Sequence, residues 1–160
     1  MPLRTIRKNN DEVLRQKAAA VKRFTPQIPR LIEDMKETML SAEGIGLAAP
    51  QIGISKRIVV VKDDDNIHEV INPEIINLEG RVLDIEGCLS LPGVYGEVER
   101  AEKIQLKGLN KEGNSIELTA EGMSARAFQH EIDHLEGILF VDRANRLLTA
   151  EEVRNLVDKA

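Results

Sequence analysis

The chain has 160 residues, of which 42% are hydrophobic and 31% charged, and its formal net charge is −5. That length suits one domain, expected to bury roughly 70% of its unfolded surface, and the composition is that of a globular chain rather than a disordered one. The acidic balance lacks the basic footprint of a DNA- or RNA-binding protein, and apolar runs no longer than Ile58 to Val61 leave nothing expected to span a membrane. The amino terminus, Met-Pro-Leu-Arg-Thr-Ile-Arg-Lys, leads into Asn9-Asn10-Asp11-Glu12 and is not expected to act as a signal peptide. A single cysteine, Cys88, excludes an intramolecular disulfide and is free to serve as packing, nucleophile or metal ligand. The last two roles suit a reducing compartment, so a cytoplasmic location is expected.

In chain order, Asn10 or Asp11 can cap a first helix from Glu12 to about Val21. A second helix is better marked, with Thr25 at its cap and Pro26 in its first turn, where a missing N–H costs nothing. Ile28, Leu31, Ile32, Met35 and Met39 then form one apolar stripe, and Glu43-Gly44 ends it. The period next changes to that of strands, over Arg57–Lys62, Glu69–Asn72, Lys103–Leu109 and Ser115–Thr119, with a hairpin loop at 110–114. A helix is expected from about Ser124 to Leu135, and a tail helix from Thr149, whose capping-box partner is Glu152. Helices, then strands, then helices without βαβ alternation predict an α+β fold: N-terminal helices, antiparallel strands around a central helix, and a C-terminal helix. No repeat or linker divides residues 1–160, which are expected to form a single domain.

The central helix carries His130-Glu131-Ile132-Asp133-His134, an H-E-x-x-H segment. Four residues advance a helix by about 6 Å and turn it little more than once, so both imidazoles leave one face and can grip one ion. Glu131 lies about 100° round, beside the ion, where it can take a proton from water. A catalytic site needs a third protein ligand, and no histidine follows His134. His68, upstream in a charged stretch, reads as solvated. Cys88, in Glu86-Gly87-Cys88-Leu89-Ser90, is the better third ligand, since glycine allows close backbone approach. A third segment, Gly44-Ile45-Gly46-Leu47-Ala48-Ala49-Pro50-Gln51, can offer a backbone edge to an extended peptide and a Gln51 N–H to a carbonyl.

Together the three segments resemble peptide deformylase, whose motifs are G-x-G-x-A-A-x-Q, E-G-C-L-S and Q-H-E-x-D-H. Here they stand complete and in order as Gly44–Gln51, Glu86–Ser90 and Gln129–His134, and Arg100-Ala101-Glu102-Lys103 adds to the likeness. The resemblance implies a single metallohydrolase domain of the compact bacterial type. Its substrate would be a nascent or new polypeptide beginning with N-formylmethionine, and its products formate and a free amino terminus. It implies ferrous iron (Fe2+), replaceable by Zn2+, Ni2+ or Co2+, on Cys88, His130 and His134. It implies Glu131 as acid/base, with the Gln51 amide and the Leu89 N–H meeting the developing oxyanion. It also implies that Gly44, Ile45 and Gly87 pair with the substrate backbone, and that Arg100 holds a carbonyl further along. Met123 and Ala127, seven and three residues before His130, are expected to wall the methionine pocket with Ile45 opposite, and Tyr95 to line the entrance. Glu86 and Asp133 are candidate partners for the histidine N–H groups. Docking on the ribosome suits such an enzyme, although Arg143, Arg146 and Arg154 in the tail are balanced by Glu151, Glu152 and Asp158. The alternatives are an H-E-x-x-H peptidase and a non-catalytic metal-binding protein. The first lacks its downstream ligand, and the second has no use for Glu131 or the Gln51 loop.

Overall fold

The computed structural model describes residues 3–158. A short 3-10 turn, Glu12–Arg15, precedes helix α1, Gln27–Ser41, and the short strand β1, Gly46–Ala48. Strands β2 (Ile58–Asp63), β3 (Asn66–Glu79), β4 (Val82–Cys88), β5 (Leu91–Arg100), β6 (Lys103–Leu109) and β7 (Ser115–Glu121) follow. Helix α2 is Gly122–Leu135, and a short helix α3 (Phe140–Arg143), strand β8 (Arg146–Thr149) and helix α4 (Ala150–Asp158) complete the chain. The strands form two antiparallel sheets, one in the order β1-β2-β3-β6-β7 and one in the order β4-β5-β8. The α+β expectation holds.

The larger sheet lies between the two long helices. Side chains alternate across a strand, so Val59 and Val61 of β2 join Phe128 and Leu135 of α2 on one face. Ile58 and Val60 join Ile32, Met35 and Met39 of α1 on the other. A strand covered on both faces reads as an uninterrupted apolar run, which is why Ile58–Val61 shows no alternation. The α1 stripe is buried as expected, and the helix starts one residue later than proposed, with Pro26 at its cap. Glu43 then turns the chain at φ 58°, while Gly44 N–H bonds back to the Met39 carbonyl at 2.9 Å.

Three local expectations are corrected. The helix expected from Glu12 to Val21 is only the turn Glu12–Arg15, capped by the Asp11 side chain. Beyond it, Ala18 N–H bonds to the Leu135 carbonyl and Ala19 N–H to that of Ser55, so distant partners outcompete the helical propensity of the alanines. β3 runs far past Glu69–Asn72, because a bulge absorbs Asn72, at φ 51°, and Pro73 without ending the strand. The hairpin of β4 and β5 was not anticipated. At the tail, Thr149 Oγ1 accepts from Glu152 N–H and Glu152 Oε1 accepts from Thr149 N–H, both at 3.2 Å, which is the capping box read from the sequence.

Candidate metal centre and substrate cleft

Helix α2 supplies His130, Glu131 and His134, and packs against the sheet through Ala125, Phe128 and Leu135. Gln129 fixes its other side by clamping Ala101, accepting from its N–H and donating to its carbonyl, each at 3.0 Å. Cys88 arrives at the end of β4, where the pairing with β5 shifts register between Gly87 and Cys88. The ligand atoms of Cys88, His130 and His134 all lie within 4.8 Å of one another, and Cys88 Sγ is 3.4 Å from His134 Nε2. Glu131 is buried beside them, its Oε1 3.9 Å from His134 Nε2.

A metal ion fits this donor set. A thiolate and two imidazoles are what first-row transition ions take. Among the described residues, Glu131 Oε1, 3.9 Å from His134 Nε2, is a buried side-chain oxygen without a protein partner, a costly arrangement for a dry interior; His134 Nδ1 is unpartnered too, but it is not the ring nitrogen that meets Cys88. Burial and the neighbouring His130 charge hold His134 well below the ordinary histidine range, in the neutral form a ligand needs. Burial pulls His130 the same way, yet the charges and hydrogen bonds of Glu131, Cys88 and Glu86 outweigh it and favour positive charge at this point. Burial pushes Glu131 up to about 7, with His130 partly opposing it.

Gln51 is 1% exposed, and its amide is oriented by its surroundings. Oε1 accepts from Ala48 N–H at 2.9 Å, and Nε2 donates to Ser90 Oγ at 3.2 Å and lies 3.7 Å from Cys88 Sγ. The N–H end therefore faces the ligand cluster. A cleft of about 470 Å³ opens over it, and Gly44, Ile45, Gly87, Leu89, Tyr95, Met123 and Ala127 all line this space. Its apolar side suits a thioether side chain, and the two glycines keep its walls low.

Two expectations about charged residues change. Arg100, read as a substrate contact, is 5% exposed and faces away from this cleft. Its Nε and Nη2 donate to Glu86 at 2.8 and 3.0 Å, and its Nη1 to Asp133 at 2.7 Å, so three of its five N–H groups are spent inside a buried network. Asp133, read as a histidine partner, is held by Arg100 and Arg143 instead. Glu86 does meet His130, with Oε1 2.9 Å from Nδ1. Burial raises the Glu86 carboxyl, but its bonds to Arg100 and His130 win and keep it well below the ordinary range. His68 is half-buried in β3 opposite Val61, near Asp63 and the Phe128 ring, and takes no part in the centre. Reasoning from sequence missed Ser90, which braces Gln51, and Arg126. The signal for Arg126 was its spacing, four residues before His130 on a face that must be buried.

Comparison with known proteins decides the family. The family model described as polypeptide deformylase matches residues 3–150. The chain belongs to that family. A peptide deformylase from Caldicellulosiruptor bescii is 51% identical over 153 residues, covering 96% of this chain and 92% of that one. Another, from Carboxydothermus hydrogenoformans, is 55% identical over 138 residues, covering 86% and 91%. The crystal structure of peptide deformylase from Thermotoga maritima superposes with a TM-score of 0.88 at 42% identity, covering 91% of this chain and all of that one. That from Synechococcus elongatus, in complex with actinonin, gives 0.87 at 41%, covering 99% and 86%. The chain is thus a deformylase, a metal-dependent hydrolase that removes the N-formyl group from nascent polypeptides. No helix among the described residues is long and apolar enough to cross a membrane.

Proposed function

We propose that residues 1–160 act as one deformylase unit in which Glu131 works beside an ion held by Cys88, His130 and His134. The ion in the cell is ferrous iron, which zinc, nickel or cobalt can replace. The observation that carries this reading is the convergence of three ligand atoms within 4.8 Å, next to a buried carboxylate with an unpartnered oxygen. When bound, the ion supplies a Lewis acid that polarises the formyl carbonyl and makes water easier to deprotonate.

Glu131 takes the proton as the water oxygen adds to the formyl carbon, and later delivers it to the departing amine. The Gln51 amide and the Leu89 N–H donate to the formyl oxygen as it becomes negative, each worth about 2.7–4 kcal/mol if removed. The methionine side chain lies against Ile45, Met123 and Ala127. The backbones of Gly44, Ile45 and Gly87 pair with the peptide as an added strand, and Tyr95 borders its path. The substrate is met as it leaves the ribosome, in the cytoplasm.

Formate release from short peptides tests the reading. Formyl-Met-Ala-Ser is expected to be hydrolysed readily, acetyl-Met-Ala-Ser far more slowly, and internal peptide bonds not at all. Replacing the first Met by Ala removes most of a burial worth about 1.5–3 kcal/mol, so activity falls by about one to two powers of ten. Efficient cutting within an unformylated peptide would overturn it.

A further inference from the structure

Arg126 is only 6% exposed on the inner face of α2, four residues before His130. A guanidinium is tolerated in such a place when its donors and its charge are both matched. Its Nη1 donates to Glu86 Oε2 at 2.6 Å and to the Val98 carbonyl at 2.9 Å, and its Nη2 to the Val82 carbonyl at 2.7 Å. The same side chain lines the cleft. Arg126 therefore ties the helix that carries both histidines to β4, to β5 and to the carboxylate that meets His130.

Glu86 has two cationic neighbours, and they are anchored differently. Arg100 shares itself with Asp133, which Arg143 also claims at 2.6 and 3.0 Å, and the Arg143 side chain is half exposed. That end of the network can relax toward solvent. Arg126 is pinned to two strand carbonyls, which move only if the sheet moves. Arg100 grips both carboxylate oxygens, Nε on Oε2 and Nη2 on Oε1, yet a fork whose far end is shared with half-exposed Arg143 can swing together with Glu86 and lengthen the contact with His130. Held at Oε2 from a fixed second point, it keeps Oε1 on Nδ1, and the opposite ring nitrogen stays turned toward Cys88 and His134.

We propose that Arg126 is a positioning residue of the metal centre, acting through Glu86 to hold the His130 imidazole in its ligating orientation and so slow loss of the ion. The inference rests on His130 being a ligand, which the experiment tests separately. Zinc-loaded protein is mixed with an excess of a chromogenic chelator and the rate of zinc transfer is followed, with melting temperature as a control for folding. Partners behind a ligand commonly change metal affinity by about 10–100-fold, so Arg126→Met should release zinc at least about 10-fold faster. Arg126→Lys keeps the charge but cannot span Glu86 and two carbonyls, and should fall between the two. In a Glu86→Gln background, adding Arg126→Met should change the rate less than about 2-fold, because the route to His130 is already cut. If Arg126→Met does not fold, the lysine variant and the visible spectrum of its cobalt form carry the test, with an altered spectrum expected. Wild-type release rates and an unchanged cobalt spectrum, or an equal acceleration with and without Glu86, would overturn the proposal. If His130→Ala itself retains one zinc per chain with wild-type release, it is the ligand assignment that fails.

Discussion

Gly46 offers a way to move the Glu131 carboxylate without touching its chemistry. The glycine lies within β1 opposite Val61, in backbone that alanine also adopts. A methyl carbon added there would sit 2.7 Å from Glu131 Oε2 and 2.9 Å from its Cγ. Ordinary contact begins at 3.4 Å, so the carboxylate oxygen must retreat by about 0.7 Å in Gly46→Ala. Overpacking of this kind costs about 1–3 kcal/mol of stability, which a folded domain survives. Its effect on the reaction should be larger in proportion, since a displacement of about 1 Å in a reacting group can cost 10²-fold. We expect kcat for formate release from formyl-Met-Ala-Ser to drop by about 10–100-fold, with KM changed little and one metal per chain retained. Steady-state kinetics beside metal analysis and circular dichroism make the check. An unchanged kcat would mean that the position of Glu131 is not what limits the reaction, and a loss of metal would mean that Gly46 protects the ligands instead.

Two further outcomes follow from the same structure. The Asp142 carboxyl is held low mainly by its hydrogen bond to Arg15, at 2.5 Å, so its folded value lies below its unfolded one. Its contribution is therefore complete above the unfolded carboxylate range and fades as pH falls through the folded value. The pair is partly exposed, worth about 0.2–1 kcal/mol, so Asp142→Asn should lower the melting temperature at pH 7 by no more than about 4 °C, and the gap should close in acid. A gap that widens in acid would refute this. Separately, the iron-loaded protein should lose activity in air through oxidation of the metal or of Cys88, and nickel loading should slow the decay, as repeated activity measurements would record. Equal decay of both forms would contradict an iron–thiolate centre.

The site was more legible than its supports. H-E-x-x-H spacing alone puts two imidazoles on one helix face, and the fold brings Cys88 to them from the end of β4. Strand β6 was legible to the residue, because Lys103–Leu109 alternates between core and solvent. Strands β4 and β5 were not, because their inward positions include Glu86, Gly96 and Arg100, which a hydrophobic pattern cannot mark as interior. Glu86 and Arg100 are buried because each satisfies the other, and such a pair can be recognised only once both ends are placed. The same applies to Arg100 as a supposed substrate contact: an arginine beside a motif looks available until its burial and its partners Glu86 and Asp133 are in place. The first helix stops short for a different reason, since residues 16–20 are good helix formers, but the Ala18 N–H is taken by the last residue of α2 and the Ala19 N–H by Ser55.

At Glu131 the roles of base and of ligand are separable, and Glu131→Gln separates them. The substitution keeps the shape of the side chain and removes its capacity to accept a proton. With protein prepared anaerobically, metal content and formate release should be measured on the same sample. The expected result is close to one metal per chain, an unchanged circular dichroism spectrum, and a rate lower by at least about 10²–10⁴ yet above background. Loss of the metal as complete as in His130→Ala, or full turnover with the metal retained, would contradict it.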